Sequence, residues 1–232
     1  MRLKVPEPAY ATSTRSRRNF VLAFKLTFGF LLLIWAVFIF DQLLGLGLVR
    51  FGLIPGHPEG LVGVLTAPVL HLNLPHIGSN SLPLLVGGTV MLFLYPNSSL
   101  RALPVLYLGS GALAWTFARE SVHIGASGLV YGILAYVFVA GVLRRDLRSI
   151  ATSLMIWFLY GSMVWGVVPT APGTSWELHL TGAFWGVILA WLYRDWDQPP
   201  YKRYSWDFED DEPAPWESEI EFSDEDQPWR RR

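Results

Sequence analysis

The chain of 232 residues contains no cysteine. That excludes disulfide bridges, thiolate metal sites and a cysteine nucleophile, and it leaves the redox state of the compartment unspecified. Charge is scarce as well: Asp, Glu, Lys and Arg make up 16% of the residues against 52% hydrophobic, with a mean hydropathy of +0.33. Soluble domains carry about 25% charged residues, so an ordinary soluble protein is excluded and a membrane protein is expected. Acidic residues are almost missing from most of the chain. Six stand before residue 195, beside thirteen basic residues, whereas 195–232 holds thirteen acidic and five basic. The formal net charge of −1 therefore joins a basic apolar portion of +7 to an acidic tail of −8.

What is abundant is long hydrophobic runs. A bilayer core of about 30 Å takes roughly 20 apolar residues in a helix, and fewer when the helix is buried among others. Six blocks meet that test, at about 21–49, 77–95, 102–117, 127–143, 150–168 and 178–193. The first is too long to be a cleaved signal peptide and lacks the small-residue site such peptides carry. Lysine and arginine concentrate on one side of these blocks, which predicts a multi-pass protein of the cell membrane with both termini cytoplasmic. The loops 50–75, 118–126 and 169–177 then face outward, carrying only Arg50 and Arg119 among the basic residues. The expected organisation is a basic cytoplasmic segment 1–20, a six-span core 21–194 and an acidic tail 195–232. The first outward loop is long and rich in apolar residues, so it is expected to be ordered. The tail interleaves acids with Trp196, Trp206, Trp216 and Trp229 and is expected to be disordered, with any partner it binds unidentified.

Ionisable groups inside spans are costly, so they mark function or buried pairing. His76 opens the second block in the run His71-Leu-Asn-Leu-Pro-His76-Ile-Gly-Ser-Asn80, and residues 76 and 80 share a helix face. The fourth block opens Gly125-Ala126-Ser127-Gly128, with Tyr131 and Gly132 following. That puts a serine hydroxyl at a helix N-terminus, where unpaired N–H groups favour developing negative charge. The sixth block holds His179, then Gly182 and Gly186. Small residues four apart on two helices allow close approach in a membrane, so the Gly128–Gly132 and Gly182–Gly186 faces can meet and bring Ser127 near His179.

A serine needs a base, and imidazole with an ordinary pKa near 6.5 is suited to that task. The Asn80 amide, the His76 imidazole and the Ser127 N–H are the candidate donors to an oxyanion. Glu177 is the one acid near His179, but two residues away it lies on another helix face, so a dyad without a buried acid is expected. Each part has a plainer reading: a capping serine, a histidine bonding between helices, glycines that only pack. Their conjunction favours chemistry. The histidines show no H-E-x-x-H and have no acidic neighbours at ligand spacing, so neither a metal nor another cofactor is expected. A channel or transporter would place charges in several spans or break paired helices in internal repeats. The only charges within the first block, Lys25 and Asp41, lie near its ends, where they can reach the interfaces.

These residues resemble the rhomboid intramembrane serine proteases, in the minimal bacterial six-span form: His71…His76-x-x-x-Asn80, Gly125-Ala126-Ser127-Gly128 and His179-x-x-Gly182-Ala183-x-x-Gly186, in that order, over about residues 20–194. The resemblance implies an all-α bundle of six transmembrane helices with a long first extracytoplasmic loop and a water-filled cavity open outward. It implies Ser127 as nucleophile and His179 as base, with His76, Asn80 and the Ser127 amide at the oxyanion. It gives Tyr131 as the aromatic residue against the histidine ring, Gly182 as the close crossing point, Gly125 as room for the substrate backbone and His71 as a structural residue. Its partners would be the bilayer and the transmembrane segments of substrate proteins, with no nucleic acid. The alternative is a rhomboid-like protein that holds client helices without cutting them. Where many rhomboids carry Trp-Arg in the first loop, this chain has Val62-Gly63, which leaves open how that loop is braced.

Overall fold

The computed structural model describes residues 13–144, 146–169 and 173–198. The segment 1–12, Arg145 and most of the acidic tail lie outside them. All regular structure among the described residues is helical, apart from one isolated antiparallel bridge between Leu53 and His123. The helices are α1 (Thr14–Leu44), the short α2 (Val62–Thr66), α3 (Leu74–Leu94), α4 (Pro96–Phe117), α5 (Ser127–Arg144), α6 (Leu147–Tyr160) and α7 (Trp176–Leu192). Four stretches are long and apolar enough to cross a membrane: Thr14–Leu44, Leu74–Leu94, Ser127–Arg144 and Leu147–Val167. Of the other long helices, α4 opens on the polar run Asn97-Ser98-Ser99 and Arg101. Helix α7 has 17 residues, a length of about 26 Å.

Local chemistry sets the boundaries. Ser13 caps α1 by accepting from the Ser16 amide at 3.1 Å. The helix stops at Leu44, short of its apolar run, because Gly45 turns left-handed at φ 60° and returns its N–H to the Asp41 carbonyl. Asp41 does not reach for an interface as expected: it is buried, and its carboxylate accepts from the Leu48 amide at 3.0 Å, shaping that turn. Asn73 caps α3 by accepting from the His76 amide at 2.9 Å. The fifth block divides, with α6 ending at Tyr160 and Gly161–Val167 winding on as a tighter 3-10 helix.

Helix α5 sits at the centre and is buried on nearly every side, whereas α6 exposes most of its surface. Its closest neighbour is α7. A Cβ at Gly182 would overlap the Gly128 carbonyl oxygen, and one at Gly186 would overlap the Gly132 carbonyl oxygen, so the two backbones touch directly. The glycine faces read from spacing do meet. Around them pack Ile34, Leu84, Leu106, Val130, Ile133 and Tyr136.

The loop between α1 and α3 is ordered, braced by close backbone packing and by two side-chain donors. Gly63 lies against the Leu53 backbone so closely that no side chain fits between them. Leu53 exchanges two hydrogen bonds with His123, at 2.9 and 2.8 Å. Trp115 Nε1 donates to the His57 carbonyl at 3.0 Å, and the Tyr107 hydroxyl donates to the Leu65 carbonyl at 2.7 Å.

At the opposite helix ends, Asp197 fastens the chain after α7. It accepts from the backbone amides of Asn97 and Ser98 at 2.9 Å each, and from both their side chains. Burial alone would raise its pKa, but these donors outweigh burial and hold it below the ordinary 3.8. Asp197 adopts φ 53°, uncommon for a residue with a side chain, and these bonds hold it there.

Two outcomes follow. A carboxylate with a depressed folded pKa contributes its full stability above 3.8 and loses it as pH falls through the folded value. Acid unfolding in detergent should therefore show the advantage of the native chain over Asp197→Asn shrinking below that pH. Gly182→Ala must separate α5 from α7, and should lower the unfolding temperature by an amount worth about 1–3 kcal/mol.

Candidate active site

A cavity of about 580 Å³ opens between the N-terminal ends of α3, α5 and α7, and its walls include His76, Asn80, Ser127, Tyr131, Met163 and His179. Ser127 is the first residue of α5, after Gly125 at φ 111°, a conformation that favours glycine. A Cβ there would also collide with His76 Nε2, so the residue before the serine turn must be glycine twice over. The first intrahelical bond of this turn runs from the Val130 amide to the Ala126 carbonyl at 2.9 Å. The earlier amides, that of Ser127 included, have no carbonyl one turn back.

His179 is fixed on two sides. Its ring stacks on Tyr131 with centroids 4.1 Å apart and planes 6° apart. Its Nδ1 lies 2.8 Å from the Gly166 carbonyl. A carbonyl can only accept, so Nδ1 carries the proton and Nε2 is left as the basic nitrogen. Tyr131 is pinned in turn, its hydroxyl donating to the Met163 carbonyl at 2.8 Å. Both carbonyls belong to the 3-10 segment Gly161–Val167, and a Cβ at Gly166 would strike the Tyr131 hydroxyl. Sequence reading named Tyr131 but missed Gly166 and Met163, since main-chain acceptors leave no residue-type signal.

The histidine pair before and within α3 plays two parts. His71 Nε2 accepts from the Ala126 amide at 3.3 Å and lies 3.5 Å from Asn80 Nδ2. Burial, then the neighbouring His76, lower the His71 pKa to about 4, so it is neutral near pH 7. It ties the approach to Ser127 to the Asn80 turn. Asn80 Nδ2 also donates to the His76 carbonyl at 3.0 Å, and the His71 and His76 rings meet edge to face at 5.0 Å. His76, Asn80, Ser127 and His179 thus line one cavity, and His71 stands outside its lining.

Glu177 answers Arg119 rather than His179. Its buried Oε1 accepts from Arg119 Nη1 at 3.2 Å, and Arg119 Nη2 donates to the Thr174 carbonyl. His123, fully buried, lies 3.0 Å from both the Ser175 hydroxyl and the Arg119 carbonyl. This cluster joins the loop before α5 to the start of α7, two residues from His179. It was not foreseen, because its members are far apart in sequence. Among the described residues no group of histidines and acids is arranged to hold a metal.

The Rhomboid domain family matches residues 58–196, which includes every one of these side chains. The chain belongs to the rhomboid family. This rhomboid is 34% identical over 190 residues to an uncharacterised protein of Mycobacterium tuberculosis, covering 78% of this chain and 79% of that one. It is 31% identical over 190 residues to an uncharacterised protein of Mycobacterium leprae, covering 78% and 75%. Over 144 residues it is 30% identical to the chloroplastic rhomboid-like protein 11 of Arabidopsis thaliana, covering 55% of this rhomboid and 51% of that protein.

The Arg119–Glu177 pair is asymmetric, with the arginine side chain 41% exposed and the carboxylate 2%. Removing the arginine strands a buried charge, whereas removing the carboxylate leaves a cation that water can reach. Thermal unfolding in detergent should show Arg119→Gln losing about 2–3 kcal/mol and Glu177→Gln about 1 kcal/mol.

Proposed function

We propose that this rhomboid is an intramembrane serine endopeptidase that cuts transmembrane segments of other membrane proteins through a Ser127–His179 dyad. The observation that carries this reading is the 2.8 Å contact between His179 Nδ1 and the Gly166 carbonyl: it puts the ring proton on Nδ1 and leaves Nε2 as the free base in the cavity that Ser127 also lines. In the first step Ser127 Oγ attacks the scissile carbonyl while His179 Nε2 takes the hydroxyl proton. The tetrahedral oxyanion is stabilised by the His76 imidazole, the second N–H of Asn80 and the unpaired amides at the start of α5. Collapse breaks the C–N bond, and the proton on His179 passes to the leaving amine. Water, activated by the same nitrogen, then hydrolyses the acyl-Ser127 ester.

The orienting task that a carboxylate performs in a triad falls here to the Gly166 carbonyl and the Tyr131 ring, consistent with Glu177 being engaged by Arg119. In a bilayer this is economical, because a neutral carbonyl needs no counter-charge. Peptide carbonyls within an intact helix are already hydrogen-bonded, so the substrates are helices that unwind readily near one end. We place the chain in the cell membrane with six spans, both termini cytoplasmic and the cavity open to the extracytoplasmic side. The one-sided distribution of lysine and arginine supports this orientation. Neither metal nor cofactor enters the scheme. The alternative, a protein that holds client helices without cutting them, has no use for a serine and a base-form histidine in one cavity.

Purified protein in liposomes should cleave a single-span reporter, and Ser127→Ala or His179→Ala should each lower the rate by at least roughly 10⁴-fold, Ser127→Ala while leaving the unfolding temperature unchanged. A fluorophosphonate should label the intact chain at Ser127. No cleavage together with no labelling would overturn the protease reading in favour of client binding.

A further inference from the structure

A second polar cavity, of about 200 Å³, lies at the other end of the bundle. Arg144 closes α5, the helix that Ser127 opens, so the two are separated by 17 residues, about 26 Å. The cavity walls include Arg144, Asp146, Ser16, Asn19 and Phe93. They come from the first turns of α1, the end of α3 and the α5–α6 junction, which form one rim of the apolar bundle.

Two charged side chains on this wall are 5% and 2% exposed, and each has hydrogen-bonding capacity left over. Arg144 stacks its guanidinium 4.1 Å above the Tyr95 ring and donates from Nη1 to the Asp197 carbonyl at 3.0 Å. Its Nε and Nη2 have no hydrogen-bond partner. Those two nitrogens form one edge of the guanidinium, the edge that grips two oxygens of a carboxylate or phosphate at once. The Asp197 carboxylate does not fill it, since the Nη2 to Oδ2 distance is 4.0 Å and that carboxylate is occupied by Asn97 and Ser98. Asp146 uses Oδ1 to cap α6, accepting from the Ser149 amide at 3.1 Å, and its buried Oδ2 has no partner. Buried polar atoms are normally satisfied, and an empty cationic fork beside an empty carboxylate oxygen asks for a ligand that both accepts and donates.

Arg148 and Asp197 also line the cavity, so its walls carry two cations and two carboxylates, and neither a simple anion nor a simple cation matches both. We propose that this cavity binds a phosphate–ammonium zwitterion, the phosphoethanolamine headgroup, with phosphate oxygens on the Arg144 fork and the ammonium on Asp146 Oδ2. A membrane lipid is the source the surroundings favour. Phe20, Leu143 and Leu147, next in sequence to wall residues or to Arg144 and Asp146, are exposed apolar side chains. Phe20 packs edge to face on Phe93 of the cavity wall, with centroids 5.5 Å apart. Acyl chains would lie along this surface. A choline headgroup lacks an N–H to give Asp146, and glycerol has hydroxyls but no charge.

The discriminating variant is Asp146→Asn. Its amide oxygen continues to cap α6, as asparagine caps do, while its NH₂ replaces the free acceptor with a donor. The full-length protein, purified in detergent, is mixed with equal amounts of dioleoyl phosphatidylethanolamine, phosphatidylcholine and phosphatidylglycerol. Retained lipid is then counted by native mass spectrometry. Phosphatidylethanolamine is expected to be retained about tenfold over phosphatidylcholine. Asp146→Asn, with an unchanged lipid-free unfolding temperature, should erase that preference. Arg144→Lys should weaken retention of all three. Soluble phosphoethanolamine raising the unfolding temperature as much as the lipid would support the zwitterion site and assign it a soluble ligand. Equal retention of the three lipids with no effect of phosphoethanolamine, or a preference that survives Asp146→Asn, would overturn the proposal and leave a cavity filled by water.

Discussion

The contact between α5 and α7 is the constraint on which the rest of the structure depends. Gly182 faces the Gly128 carbonyl and Gly186 faces the Gly132 carbonyl, with no room for a Cβ at either point. In a lipid environment apolar side chains gain little by leaving the lipid for each other, so close backbone packing supplies much of the attraction between helices. Here the same packing also places two of the cavity residues. Ser127 and His179 lie one turn or less from the crossing, on helices too close to slide past each other.

The polar groups at the cavity are held mainly by backbone. His179 has a carbonyl on one side and an aromatic face on its plane, and Tyr131 has a second carbonyl from the same 3-10 segment. His71, kept neutral by burial, takes the Ala126 amide. A charged carboxylate in these roles would need its own counter-ion, and the one acid nearby, Glu177, already has Arg119. Among the described residues, the Arg119–Glu177 pair lies at the cavity end and the Arg144–Asp197 pair at the other.

The helical class and the gathering of His76, Asn80, Ser127 and His179 around one cavity were legible in the sequence. Apolar runs of helical length, glycines at a spacing of four and polar residues at block starts are local patterns with few structural solutions. The helix ends were less legible. Asp41 reads as a charge near an interface, yet it turns inward to the Leu48 amide, a choice made by the Gly45 turn beyond it. The fifth block reads as one apolar span, yet it tightens after Tyr160. Main-chain carbonyls there serve His179 and Tyr131, and carbonyls are the same in every residue type.

From sequence alone, then, come the membrane setting, the helical class, the rhomboid resemblance and the residue types able to do acyl chemistry, because each is written in composition or in spacing within one helix. Only the tertiary structure decided which nitrogen of His179 faces the Gly166 carbonyl, what braces the loop between α1 and α3, and that Glu177 serves Arg119. It alone put Arg144 and Asp146 around a second cavity. These depend on groups 13 to 70 residues apart, such as Gly166 with His179, Arg119 with Glu177, and Leu53 with His123. Their proximity is created by the crossing of α5 and α7 and by the loops that close over it, and no local pattern encodes it.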